Sequence, residues 1–133
     1  MPDVADYLVD AMNRHDPAAV AACSAPDYRS EQPVHPSRNF TGNEQVLANW
    51  ASVFDGVPDF HADLIASVSA GSTERAEIRW QGTHRDGSRF EMAGVTVLGT
   101  RDDQIAWARL YLEPVEESGG DIAAAVQEPY QPS

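Results

Sequence analysis

The chain has 133 residues, 42% apolar and 23% charged, a composition that fits one globular domain long enough to bury a core. Its net charge of −12, with nine basic residues that form no run, argues against nucleic acid and anionic membrane as partners. A single cysteine, Cys23, excludes an intrachain disulfide; no N-terminal stretch reads as a secretory signal and no run approaches 18 apolar residues, so the expected compartment is the cytoplasm.

In chain order, residues 3–14 place Val4, Tyr7, Leu8, Ala11 and Met12 on one helical stripe. Asp16-Pro17 is an N-cap followed by proline at the first helical position, and opens a short alanine-rich helix to about Cys23, which reads as a small core filler. Pro26 is expected to stop that helix, with a short strand from Tyr28 to Gln32 and a loop with two prolines from Pro33 to Phe40. Thr41 and Glu44 are spaced as a capping box for a third helix carrying Val46, Leu47, Trp50, Val53 and Phe54; Asp55-Gly56 and Pro58 end it.

From residue 60 the period changes to two. Phe60, Ala62, Leu64, Ala66 and Val68 alternate with His61, Asp63, Ile65 and Ser67. Two further alternating runs, Ala76 to His84 and Ser88 to Leu98, flank Arg85-Asp86-Gly87 and predict a β-hairpin. A two-residue Asp-Gly loop would pair Trp80 with Ala93. A three-residue loop with Gly87 in the left-handed region pairs Trp80 with Met92 and Gly82 with Phe90, and is the expected one. It gathers Ile78, Trp80, Phe90 and Met92 on one face, with His84, Gly82 and Gly94. Glu77, Arg79, Gln81, Arg89 and Glu91 go to the other, and a one-residue slip would mix the sets. The two glycines are expected to remove volume from the aromatic face or to mark a bend, which suits a pocket. Asp102-Asp103 is a turn, Ile105 to Glu113 the last strand, and Asp121 the cap of a short helix at 121–127 in a polar tail over 116–133. Residues 1–115 thus form one α+β domain, its helices packed on a curved, mostly antiparallel sheet.

The phrases Phe40-Thr41-Gly42-Asn43-Glu44, Val57-Pro58-Asp59, Trp80-Gln81-Gly82-Thr83-His84 and the run Ile105 to Glu113, in this order, resemble the SnoaL-like, polyketide cyclase-like family of the nuclear transport factor 2-like superfamily. The resemblance spans about residues 3–114. It implies a cone-shaped (cystatin-like) fold with a deep apolar cavity, and often a homodimer. It also implies relatives that range from ketosteroid isomerases, limonene epoxide hydrolases and polyketide cyclases to proteins without a known reaction, so fold does not fix function. By the same comparison, the Arg and Asp of the epoxide hydrolases fall on Ile78 and Trp80, the catalytic Asp of the last strand on Leu110, and an early Tyr and Asn on Arg29 and Glu31. The carboxylate pair of those enzymes is absent here.

Proton transfer from a carbon acid in an apolar pocket needs a base of tuned pKa and a donor to the developing oxyanion. His84, at the open end of the aromatic face, and Glu31, whose pKa would rise if it faced a cavity, are the candidate catalytic residues. His35, in a Pro-Val-His-Pro loop, is a candidate at the cavity mouth. Trp50, Phe54, Trp80, Phe90, Met92 and Leu110 are candidate ligand-binding walls, the tryptophans bringing indole donors. On the last strand, the resemblance turns Leu110 inward and leaves Trp107, Arg109 and Tyr111 as an outer row suited to a dimer face; the opposite facing would make Arg109 and Tyr111 pocket donors. No histidine spacing suits a metal, no glycine-rich phosphate loop follows a strand and no Gly-x-Ser-x-Gly elbow occurs, so neither cofactor nor metal is expected. Three readings stay open: a cofactor-independent cyclase, isomerase or hydrolase-like enzyme on an apolar oxygenated substrate; a non-catalytic module binding a small apolar molecule; and a dimerising scaffold.

Overall fold

The computed structural model describes residues 3–130. Helix α1 (Val4–Asn13) is followed by α2 (Pro17–Ala22), strand β1 (Ser24–Glu31), a 3-10 turn over Pro36–Arg38, strand β2 (Phe40–Thr41) and helix α3 (Asn43–Gly56). Strands β3 (His61–Ala70), β4 (Thr73–Thr83), β5 (Arg89–Arg101) and β6 (Gln104–Pro114) follow, then helix α4 (Ile122–Tyr130). The strands form one six-stranded sheet in the order β2-β1-β6-β5-β4-β3. Among the described residues only β1 and β6 run parallel. The fold is the expected α+β one, with helices packed on the sheet. Among the described residues no helix is long and apolar enough to cross a membrane.

The β4–β5 hairpin has the register expected of a three-residue loop: Trp80 pairs with Met92 and Gly82 with Phe90. Gly87 takes φ +89°, and its N–H donates to the His84 carbonyl at 2.9 Å. Asp102 and Asp103 both have positive φ, which matches the twist of the strands that they join. Two devices tie α1 to the start of β3. Asn13 exchanges a pair of hydrogen bonds with the Ala62 backbone, at 2.9 and 2.7 Å, and His15 Nε2 donates to the Phe60 carbonyl at 2.7 Å.

Several local expectations fail for identifiable reasons. Pro26 lies inside β1 rather than before it; β1 is a local edge there, its pairing with β6 is irregular between Ser24 and Arg29, and no ladder N–H is lost. The Thr41–Glu44 capping box does not form: Thr41 pairs with Arg29, and Gly42, at φ +97°, is the N-cap of α3. Tyr7 and Leu47 are exposed, because the buried stripes run through Ala5, Leu8, Val9 and Met12 on α1 and through Val46 on α3. The ladder between β3 and β4 slips between Leu64 and Ala66, and Ile65 and Val68 are exposed. The tail helix runs to Tyr130, beyond the expected end; Asp121 caps it by accepting the Ala124 N–H at 3.0 Å.

The glycines of the hairpin do not open volume. A Cβ on Gly82 would lie 2.3 Å from Val57 Cγ1, so its gap is filled by the α3–β3 connection. One on Gly94 would lie 1.9 Å from the Tyr111 carbonyl oxygen, so its gap is filled by the β6 backbone. Both permit a close approach of chain to chain. At Gly82 that approach lets the Asp59 carboxylate accept the Thr83 N–H at 2.6 Å, a hydrogen bond that holds its pKa below the ordinary carboxylate range.

Glu74 is a charged group in the core. It is 4% exposed, and its Oε1 accepts the Ala5 N–H at 3.1 Å in the first turn of α1. Burial pushes its carboxyl above the ordinary glutamate range against the pull of the Ala5 hydrogen bond, and Asp3 and Asp6 nearby add to the rise. The folded state therefore holds this proton more tightly than the unfolded chain. The contribution to stability is complete below the ordinary glutamate value and is lost as pH rises through the folded pKa. Glu74→Gln keeps an acceptor for Ala5 and never ionises. It is expected to raise the urea midpoint at pH 7 and to leave it nearly unchanged at pH 4; an equal gain at both pH values would contradict this account.

Candidate functional site

Between α3, the α1–α2 arm and the inner sheet face lies a cavity of about 310 Å³. Leu8, Met12 and Val20 from the helical arm and Ile105 from β6 are among its buried lining residues. Trp50 and Val53 from α3 form one wall, and Ile78, Trp80, Phe90 and Met92 from the hairpin another. Ala108, Leu110 and Leu112 face it from β6. The facing left open by sequence is thereby decided: Leu110 is inward, and Trp107, Arg109 and Tyr111 lie on the outer face. There the Arg109 guanidinium sits 4.7 Å from the Trp107 ring centroid, and Trp107 fills the space over Gly99.

The alternation of β1 supplies the polar part of the wall. Tyr28 and Ser30 line the cavity, with Gln32 just beyond, while Asp27 and Arg29 point away. Burial pushes the Tyr28 phenol above its usual pKa, and a hydrogen bond with Ser30 pulls against that. Ser24 and Thr96 add buried hydroxyls and Asn49 an amide. The Trp80 indole meets Trp50 edge to face at 5.2 Å, and its Nε1–H is buried with no hydrogen-bond partner among the described residues. A buried donor left unpaired costs about 1–3 kcal/mol.

Of the sequence-predicted residues, Trp50, Trp80, Phe90, Met92 and Leu110 are brought together in this lining and four are not. Glu31 follows Ser30, so the pleat sends it to the other face, opposite Arg109 in the ladder. Phe54 stands behind Trp50, stacked on His15 at 4.9 Å and packed on Phe60. His84 directly follows β4, its ring edge-on to Phe90 at 5.5 Å, and lines a second depression with Arg89, Glu91 and Glu117 that shares Phe90 and Met92 with the cavity. His35 is paired with Glu113 at 2.8 Å and fastens the Pro33–Arg38 loop to β6. The positions where the resemblance would put epoxide hydrolase catalysts, Ile78, Trp80 and Leu110, all line the cavity and carry no carboxylate. Sequence reasoning missed Tyr28, Ser30, Thr96, Gln32 and Asn49. The signal for the first two was present in the alternation of Tyr28 and Ser30 with Asp27, Arg29 and Glu31.

On the outer face, Glu91 is held between Arg79 and Arg89, and its side chain is nearly buried by them. Among the described residues no group of three His, Cys, Asp or Glu side chains is placed to hold a metal.

The sequence pattern described as SnoaL-like domain matches residues 4–108. No curated protein matches the sequence. Among solved structures, the chain is similar to a hypothetical protein of ketosteroid isomerase-like fold from Catenulispora acidiphila DSM 44928, solved with trimethylamine. That match has 20% identity and a TM-score of 0.72 over 82% of this chain and 84% of the other. It is similar to IdmH, a putative polyketide cyclase from Streptomyces antibioticus, at 22% identity and TM-score 0.71 over 83% and 89%. A putative polyketide cyclase from Sinorhizobium meliloti matches at 19% identity and TM-score 0.65 over 85% and 95%. Likeness at these identities establishes the fold, the nuclear transport factor 2-like one.

Proposed function

The chain belongs to the SnoaL-like domain family, and we propose that it binds a small, neutral, hydrophobic molecule in the cavity beneath α3. The observation that carries this reading is the wall itself. Its side chains are largely apolar, its polar groups are hydroxyls, amides and indoles, and among the described residues the lining holds no carboxylate, imidazole or cation. The volume falls within the range of small-ligand sites, and a few placed polar groups on an apolar wall are their usual makeup. General acid–base catalysis needs a group that titrates near the working pH in reach of the substrate. Glu31 and His84 lie outside the lining.

A second reading, a cyclase- or isomerase-like enzyme, draws on Tyr28. A phenol whose pKa is raised by burial is protonated at neutral pH and serves as a hydrogen-bond donor to a developing oxyanion. The similar structures described as putative polyketide cyclases favour the same class.

Neutral polycyclic or terpenoid-like compounds are expected to quench tryptophan fluorescence at micromolar concentration. Trp80→Ala is expected to weaken their binding by about 1–3 kcal/mol, the scale of a buried aromatic contact. A broad ligand screen without quenching or thermal shift would remove the binding reading. Turnover abolished by Tyr28→Phe with binding retained would move the assignment to the enzyme.

In this reading the working form is a cytoplasmic homodimer joined through the outer sheet face. Tyr111, 42% exposed, pairs with the partly exposed Val95 and flanks the Arg109–Trp107 stack. Aromatic and arginine side chains of this kind are enriched where interfaces form. Light scattering is expected to give the mass of two chains, and Tyr111→Glu the mass of one.

A further inference from the structure

We propose that the cavity selects a neutral ligand carrying an oxygen acceptor, a ketone, aldehyde or ester carbonyl on an apolar ring body, and that Trp80 Nε1–H is the group that reads that oxygen. This inference rests on the cavity being a ligand site. The polar groups of the wall are not equivalent. A hydroxyl both donates and accepts and rotates to suit its neighbour, so those of Ser24, Tyr28, Ser30 and Thr96 are tied to no one kind of ligand group. The amides of Gln32 and Asn49 belong to half-buried and exposed residues, so water reaches them. An indole N–H only donates, and that of Trp80 is buried and unpartnered among the described residues. It is thus the wall group with most to gain from an incoming acceptor.

Its position is fixed by the fold. The indole is held edge to face on Trp50 at 5.2 Å and tilted on Phe60 at 6.1 Å, and pairs in the ladder with Met92. These contacts stop it from turning out to solvent. The lining also sets the charge of the ligand. Among the described residues it offers no cationic side chain to a carboxylate and no anionic one to an ammonium group. A charged ligand would lose its hydration without a counter-charge.

Three naphthalene probes test the assignment in the full chain: 2-acetylnaphthalene, 2-isopropylnaphthalene, which has the same shape without the acceptor, and 2-naphthoate, whose acceptor is charged. Trp80→Phe keeps an aromatic wall and removes the N–H. It is expected to weaken the ketone about ten-fold and to change the hydrocarbon by less than about three-fold. 2-Naphthoate is expected to bind more weakly than the ketone. In the unaltered protein, proton–nitrogen spectra should show the Trp80 indole resonance moving downfield with the ketone and not with the hydrocarbon, a readout that survives if the variant folds poorly. Equal losses for ketone and hydrocarbon in Trp80→Phe, or an indole resonance that ignores the ketone, would overturn the assignment to Trp80 while leaving the cavity reading intact. Failure of both neutral probes to bind would overturn the cavity reading and this inference with it.

Discussion

Gly94→Ala is expected to cost about 4 kcal/mol or more, a size that single substitutions reach only through a specific structural conflict. Gly94 sits in β5 opposite Leu112 with φ +157°, a conformation that side chains rarely adopt. A Cβ there would lie 1.9 Å from the Tyr111 carbonyl oxygen and 2.9 Å from Leu112 Cα. Both obstacles are backbone, so no side chain can swing aside, and relief requires parting β5 from β6. A graded series separates this cause from glycine substitution in general. Gly71→Ala, at φ +61° in open space, should lose only about 1–2 kcal/mol, the cost of the left-handed conformation. Gly99→Ala meets the Trp107 ring, a side chain on the outer face that can be displaced, and should fall between them. Urea unfolding of the three variants checks the order, and equal losses for Gly71 and Gly94 would refute it.

The parts of this protein legible in its sequence are those fixed by local chemistry. Turn type decided the hairpin register: Gly87 supplies the positive φ that a three-residue loop requires, and the pairing of Trp80 with Met92 follows from it. Asp16-Pro17 capped α2 as expected, with the Asp16 side chain accepting the Ala19 N–H. What stayed hidden depends on contacts between distant segments. Gly82 and Gly94 were readable as special but not as filled, because Val57 and the β6 backbone arrive from elsewhere in the chain. Pro26 suggested a break, yet the strand passes through it since β2 is only two residues long and leaves β1 uncovered there. The comparison with the epoxide hydrolases puts Glu31 at a pocket position, and the fold does not. The alternation of Tyr28 and Ser30 with charged neighbours, taken by itself, would have put Glu31 outside. His84 misled in another way. It follows the aromatic face by count, but the hairpin turns at Arg85, and the ring lines a second depression on the far side of Phe90 and Met92 rather than the cavity.

Phe60→Ala is the substitution expected to damage both stability and the site without touching the cavity. Phe60 is 3% exposed and stands behind the wall, its ring 5.4 Å from Trp50, 6.1 Å from Trp80 and 6.1 Å from Phe90, with Phe54 and His15 on its other side. Removing a buried phenylalanine ring costs about 3–5 kcal/mol through lost transfer energy and the space left behind. Here that space adjoins three of the rings that form the wall, so their positions loosen together. The binding consequence follows from position: a neutral aromatic probe should lose affinity in Phe60→Ala although Phe60 is not among the lining residues. Phe60→Leu, which keeps most of the volume, should cost less and retain more of the binding. Val68→Ala, on an exposed stretch of β3, should change stability by no more than about 0.5 kcal/mol and leave binding alone. Near-ultraviolet circular dichroism of the tryptophans, read beside urea melts and probe titrations, measures all three effects. If Phe60→Ala lowers stability as expected but leaves the aromatic signal and the probe affinity intact, the rings of the wall are held by the sheet alone and the supporting role of Phe60 is wrong.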